Sequence, residues 1–291
     1  MRELVVISGK GGTGKTSLTA AFAHLAEKVL LCDLDVDAPD LHLIAQPTIQ
    51  RRGPFLSGHV AEIDGSVCTT CGQCADLCAY GAIHSKDGVF VVDAAHCEGC
   101  KVCVAFCPSK AIDFPERLCG TWYESETRFG PMVHAQLDPG QENSGKLVTL
   151  LKAKARERAA QLGLELILSD GAPGIGCPVI SSLSQASLVL LVTEPTPSGL
   201  HDLERVVDLC RHFRLPSAVL INKVDLNPDY ERAIHSFCQS REIPVIGQLP
   251  HDSVVTESMV RHQAITEGAD TPFGIQVREI WTNVHVLLKE N

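Results

Sequence analysis

Short apolar runs alternate with longer amphipathic stretches over most of this chain. The runs at 4–8, 29–33, 164–168, 188–192, 218–221 and 244–246 are almost continuously apolar. That pattern predicts strands buried on both faces. Residues 15–27 and 147–162 read as helices, the second with Ser144 and Gly145 as start signals. Residues 273–288 carry apolar side chains at helical spacing through Val277, Ile280, Trp281 and Val284. Strands alternating with helices predict an α/β domain with a mostly parallel sheet covered on both sides.

The pattern breaks once. From about 63 to 117 the chain is rich in cysteine, and the α/β pattern resumes near 146. We therefore divide it into a first α/β part (1–62), an insertion (63–117), a connecting segment (118–145) and a second α/β part (146–291). The connecting segment lacks helical periodicity and holds Trp122, Tyr123 and Phe129. It reads as short antiparallel strands or a long loop near the insertion. The insertion is a repeat: CTTCGQCADLCAYGAI (68–83) recurs as CEGCKVCVAFCPSKAI (97–112), shifted by 29 residues.

Composition narrows the classes. The 291 residues are 45% hydrophobic, enough for a real core. The formal charge of −10 opposes binding to nucleic-acid phosphates. No apolar run reaches the roughly 18 residues of a membrane span. The last helix has only Arg278 and Lys289 as cations, which suits packing on the sheet better than a membrane surface. The N-terminus enters a strand directly, without the pattern of an export signal. Cytoplasm is the expected location, so the 13 cysteines are not expected to form disulfides.

Candidate chemistry begins at ISGKGGTGKTS (7–17). Gly9, Gly14, Lys15 and Thr16 fit G-x-x-x-x-G-K-[ST], and the loop follows a strand and opens a helix. Such glycines let backbone N–H groups of Gly9 through Ser17, with Gly11, Gly12 and Thr13 between, curl around phosphate oxygens. Lys15 reaches the terminal phosphates and Thr16 holds Mg²⁺ in this motif. LCDLDVDAPDL (31–41) ends the second strand with Asp33, Asp35 and Asp37. Asp170 ends the strand of LELILSDGAPGIGCPV (164–179), where a carboxylate can hold Mg²⁺ directly or through water. Asn222, in INKVDLN, suits hydrogen bonding to a purine edge; N-K-x-D also occurs as a guanine signature.

Lys10 is one lysine more than a phosphate loop needs. KGGTGKT resembles the deviant loop of the MinD/ParA/Mrp and nitrogenase-iron-protein class. That resemblance implies an ATPase that dimerises on ATP, with Lys10 crossing to the partner's nucleotide. It also implies that Asp35 orients the attacking water, and it favours adenine as the base. Cys177 lies seven residues after Asp170, the offset of a cluster ligand in the nitrogenase iron protein; a buried loop cysteine is the alternative.

Each half of the repeat reads C-x2-C-x2-C-x3-C, the run of bacterial two-cluster ferredoxins. Three cysteines of one run and the fourth of the other then share a [4Fe–4S] cube. Cys68, Cys71, Cys74 and Cys107 form one expected set. Cys97, Cys100, Cys103 and Cys78 form the other. Zinc does not require this doubled pattern. One departure is Ala79 after Cys78, where the second run has Pro108. Cys32, Cys210 and Cys238 read as ordinary buried thiols, and Cys119 is ambiguous.

The chain as a whole resembles the MinD superfamily of P-loop ATPases with an inserted α+β ferredoxin domain. This implies ATP, Mg²⁺ and two [4Fe–4S] clusters as ligands. The partners implied are a second copy of the chain and a protein that accepts electrons or a metallocluster. A MinD-like positioning switch and a cobyrinate-type amide synthase are the alternatives.

Overall fold

The apolar run at 4–8 lies in β1 (Arg2–Ser8), whose side chains alternate between two cores. Leu4 and Val6 join Phe22, Leu31 and Trp281 on one face; Val5 and Ile7 join Val179, Leu203 and Val206 on the other. Both faces are buried, which is why the run shows no polar alternation. The structure is a computed structural model that describes residues 1–141, 144–268 and 271–290.

After β1 come α1 (Lys15–Leu25), β2 (Val29–Asp33), α2 (Leu41–Ala45) and β3 (Thr48–His59). The cysteine-rich stretch holds β4 (Glu62–Ile63), α3 (Gln73–Asp76), β5 (Ile83–Lys86), β6 (Val89–Val92), α4 (Val102–Phe106) and β7 (Ile112–Asp113). Next are β8 (Glu116–Thr127), β9 (Gly130–Leu137), α5 (Ser144–Leu162), β10 (Leu166–Pro173), α6 (Cys177–Leu183) and β11 (Leu188–Thr193). The chain ends with α7 (Pro197–His212), β12 (Ser217–Asn222), α8 (Pro228–Ser240), β13 (Val245–Leu249), α9 (Ser253–Val260) and α10 (Pro272–Glu290).

A nine-stranded sheet runs β13-β12-β11-β1-β10-β2-β9-β8-β3. Every pairing from β13 to β9 is parallel. Helix α1 presses Phe22 onto Trp281 of α10, with ring centroids 5.1 Å apart. Burial of a ring such as Phe22 contributes roughly 1.5–3 kcal/mol. Among the described residues, no helix is long and apolar enough to cross a membrane.

The chain splits into two compact units. The first comprises Met1–Gly53, Thr121–Leu137 and the chain from 144 on; the second comprises Pro54–Gly120 and the stretch from Asp138. The boundaries thus lie several residues from those expected at 63 and 117. The connecting segment takes the strand reading and not the loop reading, in longer strands than expected. It forms β8 and β9, which join the large sheet, and β9 pairs with β2 through Leu31–Met132 and Cys32–Val133. Residues 142 and 143 of that segment lie outside the described residues. β3 escaped sequence reading because it is the last strand of the sheet. Its Arg51 and Arg52 are exposed and Pro54 sits within it, as an edge strand tolerates.

In the second unit β4 pairs with β7, and β5 with β6, both antiparallel. Asp87 and Gly88 close the β5–β6 hairpin with φ of 52° and 81°, as a two-residue primed turn requires. The repeat is visible in the backbone. Left-handed φ values occur at Thr70, Gly72 and Gly81, and again 29 residues later at Gly99, Lys101 and Lys110. Two different residue sets follow one path, so the geometry of the cysteine loops is common to both halves.

Candidate functional site

Parallel strands bring their C-terminal ends to one edge of the sheet, where ligands of such folds bind. There the loops after β1, β2, β10, β12 and β13 border a cleft of about 620 Å³. Gly11, Gly12, Gly14, Lys15, Thr16 and Ser17 form its floor, with Asp35, Asp37 and Asn222 around it. Gly14 starts α1 with φ 93°. A Cβ there would lie 2.6 Å from Asn222 Nδ2, which donates to Thr13 O at 2.8 Å. Glycine is therefore required both for the backbone turn and for this amide. Asn222 thus braces the loop from the cleft wall. Ser17 Oγ sits 3.5 Å from Met259 Sδ, on the wall built by α9. Gly9 does not line the cleft; it packs against Asp202 of α7, 2.3 Å from the position of an added Cβ.

Acidic groups gather behind the loop. Asp170, fully buried at the middle of β10, accepts hydrogen bonds from Thr16 Oγ1 at 2.7 Å and Thr19 Oγ1 at 3.1 Å. Burial raises its pKa, against the pull of Lys15 and of these two hydroxyls. Asp33 is also buried and raised, chiefly by desolvation and then by Asp170. Its Oδ2 has no hydrogen-bond partner among the described residues. Asp35 lies 3.8 Å from Lys15 Nζ. Burial lifts Asp35 to about 6, although Lys15 opposes the shift. Buried carboxylates with an orphan oxygen beside a hydroxyl and a lysine form a donor set suited to a hard cation such as Mg²⁺.

Lys10 is drawn away from the cleft. Its Nζ lies 2.7 Å from Glu194 Oε1 and donates to Ser198 Oγ at 2.9 Å and Thr196 Oγ1 at 3.4 Å. The other Glu194 oxygen accepts from Lys223 Nζ at 3.0 Å, and Lys223 also donates to Gly12 O at 2.9 Å. Burial alone raises the Glu194 pKa, but the two lysines outweigh it and hold the carboxyl below its ordinary range. Glu194 and Lys223 were not singled out from the sequence. Each follows a predicted strand at its C-terminal end, and that position was the available signal. The same holds for Pro250, His251 and Asp252, which follow β13 and line the cleft.

The cysteines form two hollows. Cys68, Cys71, Cys74 and Cys107 line one; Cys78, Cys97, Cys100 and Cys103 line the other. Each set takes three side chains from one run and the fourth from the other. All these thiols are free. Ala82 N–H donates to Cys78 Sγ and Ala111 N–H to Cys107 Sγ, both at 3.3 Å, so the fourth cysteine of each run has the same backbone contact, and Cys107 alone also meets a hydroxyl, Ser109 Oγ at 3.6 Å. The Ala79-for-proline difference therefore leaves the Cys78 loop in its repeat geometry. Among the described residues, no three His, Cys, Asp or Glu side chains converge on a single-ion position. Four thiols spread around one hollow are a donor set for an iron–sulfur cube. Cys119 is buried and its thiol donates to Ser57 O at 3.2 Å. Cys32, Cys210 and Cys238 are buried, as expected. Cys177, in contrast, is exposed as the first residue of α6.

A family profile described as the CobQ/CobB/MinD/ParA nucleotide binding domain matches residues 4–265. The chain belongs to this family. An uncharacterized protein of Methanocaldococcus jannaschii is 33% identical over 228 residues, covering 77% of this chain and 79% of that protein. The septum site-determining protein MinD of Pyrococcus horikoshii, solved with Mg-ADP, superposes with a TM-score of 0.56 at 16% identity, covering 97% and 95% of the two chains. This likeness shows the fold. A ferredoxin-like protein of Azotobacter chroococcum is 39% identical over 57 residues, covering 18% of this chain and 83% of that protein.

Proposed function

We propose that this chain is an ATP-hydrolysing, dimerising switch whose nucleotide state is coupled to two resident [4Fe–4S] clusters that pass electrons to a partner protein. The observation that carries this reading is the pair of four-cysteine hollows in a chain that also holds a phosphate-loop cleft. Each hollow draws all four thiolates from the chain itself. A fully ligated cluster is retained, whereas a cluster to be delivered needs an open position. Electron transfer is therefore favoured over cluster delivery. A positioning switch or an amide synthase rests on fold likeness alone and leaves the hollows unused.

In this reading Lys15 and the N–H groups of the loop neutralise and orient the triphosphate, while Asn222 reads the base. Thr16 and Asp170 would hold Mg²⁺, which when bound supplies charge neutralisation on the phosphate oxygens. Asp35, once ionised, orients the attacking water. Lys10 leaves Glu194 and supplies positive charge to the partner subunit's nucleotide, so that the site is complete only in the dimer. The eight cysteines hold the clusters, which supply one-electron chemistry.

The test is an anaerobic redox titration of the whole chain with and without MgATP. Binding linkage requires that a shift of potential by nucleotide equal the change in nucleotide affinity on reduction. We expect both. Identical potentials with and without MgATP, in protein that binds MgATP, would remove the coupling.

A further inference from the structure

The two hollows are not electrically equivalent. Apart from its cysteines, the one formed by Cys68, Cys71, Cys74 and Cys107 is lined by uncharged residues such as Ile63, Phe90, Pro108 and Ile112. Asp64 and Lys110, near its ends in sequence, are exposed. The other hollow carries Glu98 and Lys101 in its wall, both exposed and of opposite sign. Next to it stands Arg117, at the start of β8. Its Nη2 donates to the carbonyl oxygen of Cys97, and its Nε is buried without a hydrogen-bond partner among the described residues. Among the described residues, no carboxylate lies within ion-pair distance of this guanidinium.

Local packing holds the arrangement. His59, at the end of β3, stacks on Phe114 with centroids 4.9 Å apart and planes 4° from parallel. Phe114 lines the hollow, and Lys101 Nζ lies 5.6 Å from its ring centre. A Cβ on Gly99 would lie 2.6 Å from His59 O, so the loop between Cys97 and Cys100 is pressed against the β3 end. Gly99 is left-handed, with φ 61°, and leaves room for this approach.

Reducing a [4Fe–4S] cluster by one electron adds one negative charge. A nearby cation stabilises the reduced form and raises the potential. Solvent screens Glu98 and Lys101, and they offset each other. Arg117 is half-buried, uncompensated, and never loses its proton. We propose that Arg117 makes the cluster of Cys78, Cys97, Cys100 and Cys103 the higher-potential member of the pair. A single electron from a low-potential one-electron donor then rests on that cluster, and the second fills the Cys68–Cys71–Cys74–Cys107 cluster. The proposal rests on the cysteine hollows holding clusters, as in the function proposed above.

The experiment is an EPR-monitored redox titration of the anaerobically purified full chain. Cys100→Ser and Cys71→Ser identify which signal belongs to which cluster. We expect two midpoints in the wild type, with the higher one altered by Cys100→Ser. Arg117→Gln should lower that midpoint and leave the other in place, and Arg117→Lys should restore most of the difference. Protein that retains about eight irons with both midpoints unmoved in Arg117→Gln overturns the proposal. So does a shift of the other midpoint. If Arg117→Gln does not assemble its clusters, the half-reduced wild type decides: an electron shared equally between the two signals overturns the assignment. A wild-type chain without iron would instead sink the function proposed above, before Arg117 is tested.

Discussion

Lys10 Nζ and Glu194 Oε1 are 2.7 Å apart within one chain, which turns this lysine of the phosphate loop away from the cleft. The lysine that the sequence suggested for a partner's nucleotide is therefore engaged at home. Its side chain is 29% exposed and that of Glu194 10%, so water screens part of the attraction. A pair of this kind is worth up to about 1 kcal/mol. A triphosphate can displace that carboxylate.

Glu194→Gln should therefore ease release of Lys10 and strengthen MgATP-dependent self-association by about fivefold per subunit, the equivalent of about 1 kcal/mol. Sedimentation at several protein concentrations measures it. Lys10→Ala should bind ATP yet fail to dimerise or hydrolyse, while Lys15→Ala should lose nucleotide binding itself. Normal turnover by Lys10→Ala would end the in-trans role.

Asp35 gives a pH signature. Burial lifts it to about 6, and orienting water requires the ionised form. Turnover should rise as pH climbs through about 6, and Asp35→Asn should abolish it while MgATP dimers accumulate. The stability effect has the opposite sign. A carboxyl raised above its unfolded value of roughly 4 stabilises the fold fully only below that value, and the contribution fades as pH rises through about 6. Steady-state rates across pH 5 to 8 check the first statement. An acid limb that survives in Asp35→Glu at an unchanged midpoint would assign it to another group.

His134 acts on stability in the other direction. It is half-buried, stacked on Tyr123 with 5.0 Å between ring centres, and its Nε2 lies 2.9 Å from Ser125 Oγ. Burial lowers its pKa to about 4. A histidine held neutral in the fold charges more readily when unfolded. Its contribution is complete above roughly 6.5 and is lost as pH falls through about 4. Urea midpoints of the wild type should fall across that window, and His134→Gln should flatten the fall. Parallel curves for the two proteins would show that carboxyls held below their ordinary range, such as Glu194, and not His134, govern the acid limb.

The buried parallel strands were legible because a strand covered on both faces must be apolar throughout, as in β2, which matches 29–33 residue for residue. β3 and β8 were not. Arg51 of β3 meets Glu124 of β8 at 3.3 Å, and Trp122 of β8 is covered by Lys154 of α5, 3.3 Å from its ring centre, so these side chains are satisfied by partners on other elements, which no single segment displays. The phosphate loop was legible for a related reason: its glycines answer to backbone geometry within six residues. Glu194 and Lys223 became visible only when the fold brought two strand ends to Lys10 and Gly12.

Iron analysis tests the cysteine assignment directly. Anaerobically purified protein should be brown and hold about eight irons per chain. Ser at Cys74 or Cys107 should reduce that content by about half, since the two line the same hollow although 33 positions separate them. Stoichiometric zinc without visible absorbance would replace the clusters by another site.

Cys177 is the thiol that the hollows leave unexplained. It opens α6, exposed, after the loop that follows Asp170, and a Cβ on Gly145 would come within 3.1 Å of its own Cβ. That loop contains Gly174 with φ 93°, a conformation only glycine takes readily, so it can rearrange when the terminal phosphate leaves. A buried cysteine would be packing; an exposed one at a moving loop can bind iron in one nucleotide state. Cys177→Ser should keep the iron of the two hollows and the affinity for ATP. It should remove any further iron or EPR signal that appears only in the MgATP dimer. The same spectra in wild type and Cys177→Ser, at equal nucleotide saturation, would return Cys177 to a surface thiol without a metal.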